Sequence, residues 1–197
     1  GTVIVMPTHA VENMSRIKNK VDLLKIHGVF TTKTRESIER EDTDVLGVKP
    51  DIVVMLAGDT QQKDGTWRMY TPEMAKTFAQ TLSSEENILI LNGPRTGKYQ
   101  LAGTQLIIDD LSHRSSTDPV TRSVANMGDG KPWTIIDFNY DQPSLWTTAL
   151  HFCLKNQDVI LILPGESTSM ISEALGLGIR PSIYIHYIMT DTSLRYV

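Results

Sequence analysis

The sequence predicts an α/β fold built on a parallel sheet with helices on both faces, and three stretches carry that expectation. Val159 to Leu163 is an unbroken apolar run of strand length, which suits a strand covered on both sides. It is followed by a helical stripe of Met170, Ile171, Ala174, Leu175 and Leu177, and then by the alternating stretch Ser182 to Ile188. Asp51 to Ala57 and Asn87 to Leu91 are two further apolar runs with a helix-forming segment between them. Twice, then, the period passes from strand to helix to strand, the repeating unit of a parallel α/β sheet.

The elements follow in order. Thr2 to Met6 reads as a buried strand stopped by Pro7, and Val11 to Leu24 carries apolar residues at loosely helical spacing. His27 to Thr32 is a short strand candidate, and the charged stretch Thr34 to Asp44 reads as a solvated helix or a linker. In Thr71-Pro72-Glu73 the Thr caps a helix, Pro fits its first position and Glu meets its dipole. Met74, Ala75, Phe78, Ala79 and Leu82 form its buried face. Leu101 to Val124 is the hardest stretch to read: Leu106 to Ile108 fits a strand or a helical turn, and Asp118-Pro119 opens a helix through Val124. Trp133 to Phe138 is a strand, and Leu145, Trp146, Ala149, Leu150, Cys153 and Leu154 mark a helix. Gly176, Gly178 and Pro181 close the last helix.

At 197 residues the chain suits one domain or one and a fraction. A formal charge of −4 without a basic run argues against nucleic acid and anionic membrane as main partners. The lone Cys153 permits no internal disulfide and sits in a helical pattern as a small hydrophobe. No membrane span or signal peptide is visible, which suits a cytoplasmic protein, at most peripheral to a membrane. The chain opens in strand-like Gly1-Thr-Val-Ile-Val-Met, which reads as a fragment: residues 1–26 as the tail of a preceding N-terminal domain or a linker, and 27–197 as the nucleotide-binding unit.

The chemistry lies after the strand ending at Pro164-Gly165. Ser167, Thr168 and Ser169 place three hydroxyls beside the unpaired amides of a helix start, where an anion, above all a phosphate, is favoured. Glu173 lies seven residues beyond Glu166 on nearly the same side of the helix, placed to accept from ribose hydroxyls. The same residues also read as ordinary helix caps and a dipole-complementing acid. Gly93-Pro-Arg-Thr-Gly97-Lys98 is not a nucleotide-triphosphatase phosphate loop, having three residues between its glycines and Tyr99 after the Lys. It remains a Gly-rich turn at a strand end, with Arg95 offering a fork for an anion. Asp42-Thr43-Asp44 matches a metal-holding Asp-x-Asp only within a run of surface charges, and the five histidines show no metal-ligand spacing, so no metal is expected. No Gly-x-Ser-x-Gly elbow is present.

Gly165-Glu-Ser-Thr-Ser-Met-Ile-Ser-Glu-Ala174 with Gly178-Ile-Arg-Pro181 resembles a signature of the mitochondrial-fission ELM-like family and its bacterial relatives. There a strand ends in an Asp-Ser-Val-Ser-Met-type turn, then Ser-Glu-Ala, then Gly-x-Pro. Val3 to His9, Ile52 to Gly58 and Leu89 to Gly97 resemble the family's other strand ends, in order. Glu166 stands where the family has Asp, Gly93-Pro94 replaces part of its Ser-Arg pair, and Gln100 to Lys131 matches nothing in it.

That family is similar to GT-B glycosyltransferases, which have two Rossmann-like domains, such as the N-acetylglucosamine transferase of peptidoglycan synthesis. The resemblance implies the C-terminal, Rossmann-like domain of such an enzyme, binding a nucleotide-diphosphate sugar as donor, with no other cofactor and no metal. By position it implies Gly58 and Asp59 near the phosphates, Arg95 and Thr96 at the rim, Glu166 to Ser169 at the diphosphate, and Glu173 on the ribose. The catalytic base would come from the other domain, so none is named; His9 is the nearest candidate. The alternative implied by the plant members is a non-catalytic scaffold that keeps the fold and recruits a protein partner.

Overall fold

A computed structural model describes residues 3–7, 22–26, 31–40, 47, 49–61, 65–97, 99–102, 105–108 and 118–184. Strands β1 (Val3–Pro7) and β2 (Asp22–Ile26) pair in parallel, Val3 opposite Asp22, as a two-stranded sheet of their own. The helical spacing read across Val11 to Leu24 does not extend to its end, because Leu23, Leu24 and Ile26 lie in the parallel ladder with β1. Pairing there outweighs a weak period. The strand expected from His27 to Thr32 is absent at Thr31 and Thr32, and residues 27–30 lie outside the described residues.

Helix α1 (Arg35–Glu39) is the solvated helix expected from the charged stretch, closed by a reciprocal pair of hydrogen bonds between Thr34 and Ser37. Next come β3 (Ile52–Met55), the antiparallel pair β4 (Thr60–Gln61) and β5 (Trp67–Arg68), α2 (Pro72–Ala79) and β6 (Ile88–Leu91). The stretch hardest to read holds a hairpin, β7 (Tyr99–Ala102) against β8 (Gln105–Ile108), then α3 (Pro119–Met127). The remainder is β9 (Trp133–Ile136), α4 (Leu145–Lys155), β10 (Ile160–Pro164), α5 (Thr168–Gly176) and β11 (Ser182–Tyr184).

Five of these strands form one wholly parallel sheet in the order β11-β10-β3-β6-β9. Both faces are covered, so β3 and β6 are buried at every position and read as continuous apolar runs. Alternation divides their side chains. Val53, Met55, Leu89, Leu91, Leu161 and Leu163 pack with Trp146, Ala149, Leu150 and Cys153 of α4 and Ala174 of α5. Ile52, Val54, Ile88 and Ile90 pack with Ala75, Phe78 and Ala79 of α2 and Val120 and Val124 of α3. Each fully buried Leu or Ile in these layers contributes about 1.5–3 kcal/mol of transfer free energy. Helix α4 is buried from Trp146 to Cys153, and burial alone pushes the Cys153 thiol up to about 12.

The connection order places the site. From β3 the chain winds through α2, β6 and α3 to β9, then returns through α4 to β10 on the other side of β3. The helix pair α2 and α3 belongs to one face and α4 and α5 to the other. The winding direction therefore reverses between β3 and β10. Loops leaving adjacent strands at such a reversal splay apart, and in open α/β sheets ligands bind in the crevice outside those carboxyl ends.

Candidate functional site

The loops after β3 and β10 meet at this reversal, and the loop after β6 closes one side. Gly58 is required by close approach: a Cβ there would lie 2.7 Å from Arg95 Cβ and 3.1 Å from the Arg95 carbonyl carbon. The Asp59 amide donates to the Arg95 carbonyl at 3.1 Å, locking the two loops together. Arg95 itself is exposed at the rim. Thr96, implied at the rim beside it, is instead 1% exposed. Its hydroxyl accepts from the Gly93 amide at 3.0 Å and donates to the Ala57 carbonyl at 2.9 Å. Asp59 is 0% exposed, and its Oδ1 accepts from the Tyr70 amide at 2.8 Å. Both residues brace the floor of the cleft rather than its surface.

Helix α5 opens at the far side. Thr34, Thr71, Asp118 and Ser144 each cap their own helix through a side-chain oxygen. Ser167, the N-cap of α5, makes no side-chain cap hydrogen bond. Among the described helices only this one begins without its own cap, although Ser, Thr and Ser occupy its first three positions. Such an end favours an anion. Glu173, one and a half turns further on, is half-buried, and its carboxylate is held from two sides. Trp146 Nε1 donates to Oε2 at 2.6 Å and the Thr31 hydroxyl donates to Oε1 at 3.1 Å. A carboxylate offers about four acceptor positions, so each oxygen keeps capacity for a further donor.

Glu166 lies between these two parts. Its carboxyl lies near its own backbone N–H, the Gly58 N–H and the Arg95 guanidinium. Oε2 has essentially no exposed surface and no hydrogen-bond partner among the described residues. Burial pushes this carboxyl up to about 7, against the opposing pull of those two amides and of Arg95. Two tyrosines complete the surroundings. Tyr184 donates to the Met55 carbonyl at 2.7 Å and stacks on Phe78 at 4.1 Å. Tyr70 is 2% exposed, and both phenols are pushed upward, by burial first. The sequence reading missed both tyrosines, which are distant in the chain and carry no local pattern.

The opposite edge of the cleft is set by Asn92 at the end of β6. Its Nδ2 donates to Thr121 Oγ1 at 3.0 Å and to Asp137 Oδ1 at 2.7 Å, and its Oδ1 accepts from the Phe138 amide at 2.6 Å. One side chain thereby joins the end of β6, helix α3 and the loop after β9. That loop presents Tyr140, 62% exposed and edge-on to Phe138 at 4.7 Å.

Elsewhere the molecule offers less. A cavity of about 360 Å³ opens at the other, amino-terminal end of the strands, lined by Arg35, Arg180 and Gln157 over apolar residues at the end of α4 and in the segments that follow α4 and α5. Two helix carboxyl ends converge there, so the arginines complement their dipoles. His151 is 1% exposed, and neither ring nitrogen meets a polar partner among the described residues, so it is a core residue of α4. Asp42 to Asp44, His9, His27, His113 and His186 lie outside the described residues. No group of three or more metal-binding side chains occurs among the described residues, nor does a helix long and apolar enough to cross a membrane. Comparison with protein-family models, with curated proteins and with solved structures finds no match to this chain.

Proposed function

We propose that this domain binds a nucleotide-diphosphate sugar across the reversal between β3 and β10, as the nucleotide-binding half of a metal-independent GT-B-type glycosyltransferase resembling the ELM-like family. The observation that carries the reading is the start of α5: a helix without a side-chain cap, directed at the crevice beside the Gly58 loop. The diphosphate lies on the amides of Thr168 to Met170 with the hydroxyls of Ser167 to Ser169, and Arg95 reaches it from the rim. Glu173, held by Trp146 and Thr31, accepts from the ribose hydroxyls. In a glycosyl transfer the helix amides and the dipole would stabilise the departing diphosphate, the part of catalysis this half can supply.

The test is a titration of uridine and guanosine diphosphates against the protein, its Glu173→Ala variant and its Glu173→Gln variant. One nucleotide is expected to bind preferentially, with affinity lowered on the order of tenfold in both variants, the loss of one or two hydrogen bonds to a charged group. Equal, weak binding of all nucleotides with no effect of either substitution would overturn the reading. That result would favour the scaffold alternative, a protein that keeps the fold and recruits a partner.

A further inference from the structure

The cavity of about 360 Å³ at the amino-terminal end of the sheet takes no part in the proposed nucleotide site, which lies beyond the opposite ends of the same strands. Its size falls at the lower end of the range for small-molecule pockets, roughly 300–1,000 Å³. Arg35 reaches it from α1, Gln157 from the turn after α4 and Arg180 from the turn after α5, while Cys153 and Ile179 contribute apolar wall. Three separate parts of the chain thereby bring two guanidiniums and an amide to one hollow.

Positive charge beside two helix carboxyl ends complements their dipoles, but those ends do not use the arginines up. Their last carbonyls are satisfied by backbone: Phe152 accepts from the Asn156 amide at 3.0 Å, Ala174 from Ile179 at 2.9 Å and Leu175 from Gly178 at 3.0 Å. Among the described residues Arg35 meets only Glu39, at 3.5 Å in an exposed pair one turn along the same short helix, a contact of small worth. It also stands at the amino-terminal end of α1, where that helix's own dipole disfavours a cation. Arg180 has no hydrogen bond or ion pair among the described residues. Asp158, next in the chain to Gln157, pairs with neither arginine.

We propose that this cavity is a second ligand site, taking a small polar molecule whose carboxylate or phosphate head is held by the guanidiniums of Arg35 and Arg180. A guanidinium is a planar fork of donors with no acceptor, and it matches either head through two parallel hydrogen bonds. Gln157 offers a donor and an acceptor to the body of the same molecule. The site is independent of the nucleotide reading, and either can stand without the other.

The test is an NMR titration of the whole chain with succinate, glycerol phosphate and inorganic phosphate, and with neutral succinamide as control. The amides of Gly178 and Ile179 report on the cavity, and those of Thr168 and Ser169 on the other end of α5. Wild type is compared with Arg180→Gln, Arg35→Gln, the double variant, and Arg122→Gln, which removes an exposed charge from α3 on the opposite face. At least one acid is expected to saturate the Gly178 and Ile179 shifts below about 10 mM, with succinamide silent. Arg180→Gln is expected to weaken that binding on the order of tenfold, Arg35→Gln severalfold, and Arg122→Gln by less than about twofold. Saturation by succinate alone assigns a carboxylate head and saturation by the two phosphates alone a phosphate head; each supports the site. No saturable shift with any acid overturns it. So does a shift that the double variant retains, or one that Arg122→Gln weakens as much as Arg180→Gln does. Shifts confined to Thr168 and Ser169 would favour an anion at the start of α5 and overturn the cavity site.

Discussion

Replacing Glu166 by Gln is expected to make the protein more stable than its parent at pH 8 by as much as about 3 kcal/mol, an advantage that vanishes below pH 4.5. The sign follows from proton counting. Burial raises the folded-state value of this carboxyl from 4.5 to about 7, so between those limits the folded chain holds a proton that the unfolded chain has lost. Its contribution to stability is complete below 4.5 and is lost as pH rises through 7. A Gln in the same place has no proton to lose. Other carboxylates titrate in both proteins and cancel in the difference. Urea unfolding of the two proteins at half-unit steps from pH 4 to pH 8.5 measures it. A difference that stays flat over this range would mean that the Glu166 carboxyl is solvated rather than buried.

The second large effect is expected at Asn92. Truncation to Ala should cost about 3 kcal/mol of unfolding free energy, because three hydrogen bonds end on this 1% exposed side chain. The Phe138 amide is left without its acceptor and Thr121 Oγ1 without its donor, on elements that cannot move together to compensate. Asn92→Asp is an informative companion. It keeps an acceptor for Phe138 but sets a second carboxylate against Asp137, so it should be no better than Ala near neutral pH and should recover as pH falls. A loss under about 1 kcal/mol in the Ala variant would show that the three elements are held by packing alone.

The strands and most helices were legible because their signals are local. Ile52 to Met55 and Ile88 to Leu91 are continuous apolar runs, as strands covered on both faces must be, and Val159 to Leu163 reads the same way although Ile160 at its start is 47% exposed. Thr71-Pro72 and Asp118-Pro119 announced their helices through caps and a first-position proline. The hairpin at Tyr99 to Ile108 was not legible, since four-residue strands joined across Gly103-Thr104 resemble a helical turn as closely as a strand.

At the site, helix start and loop glycine could be read, but their partners could not. Nothing local says that Thr96 would be consumed by Ala57, that Glu173 would be gripped by Trp146 and Thr31, or that Tyr70 and Tyr184 would be buried near Glu166. Each of these depends on strand order, which places residues far apart in the chain side by side. The reversal between β3 and β10 is the clearest case, because the sequence displays the alternation of elements and not the order in which strands lie.

The Thr96 hydroxyl, accepting from Gly93 and donating to Ala57, ties the turns that follow β3 and β6 into a single rigid ledge. A ledge of this kind cannot adapt its spacing to ligands of different size. On the proposed nucleotide reading, discrimination has to come from what projects above it, at Arg95 on one side and around Tyr140 on the other. Those outward positions can be exchanged to retune selectivity while the ledge beneath them is left intact, whereas a Cβ at Gly58 would force the two turns apart and dismantle it.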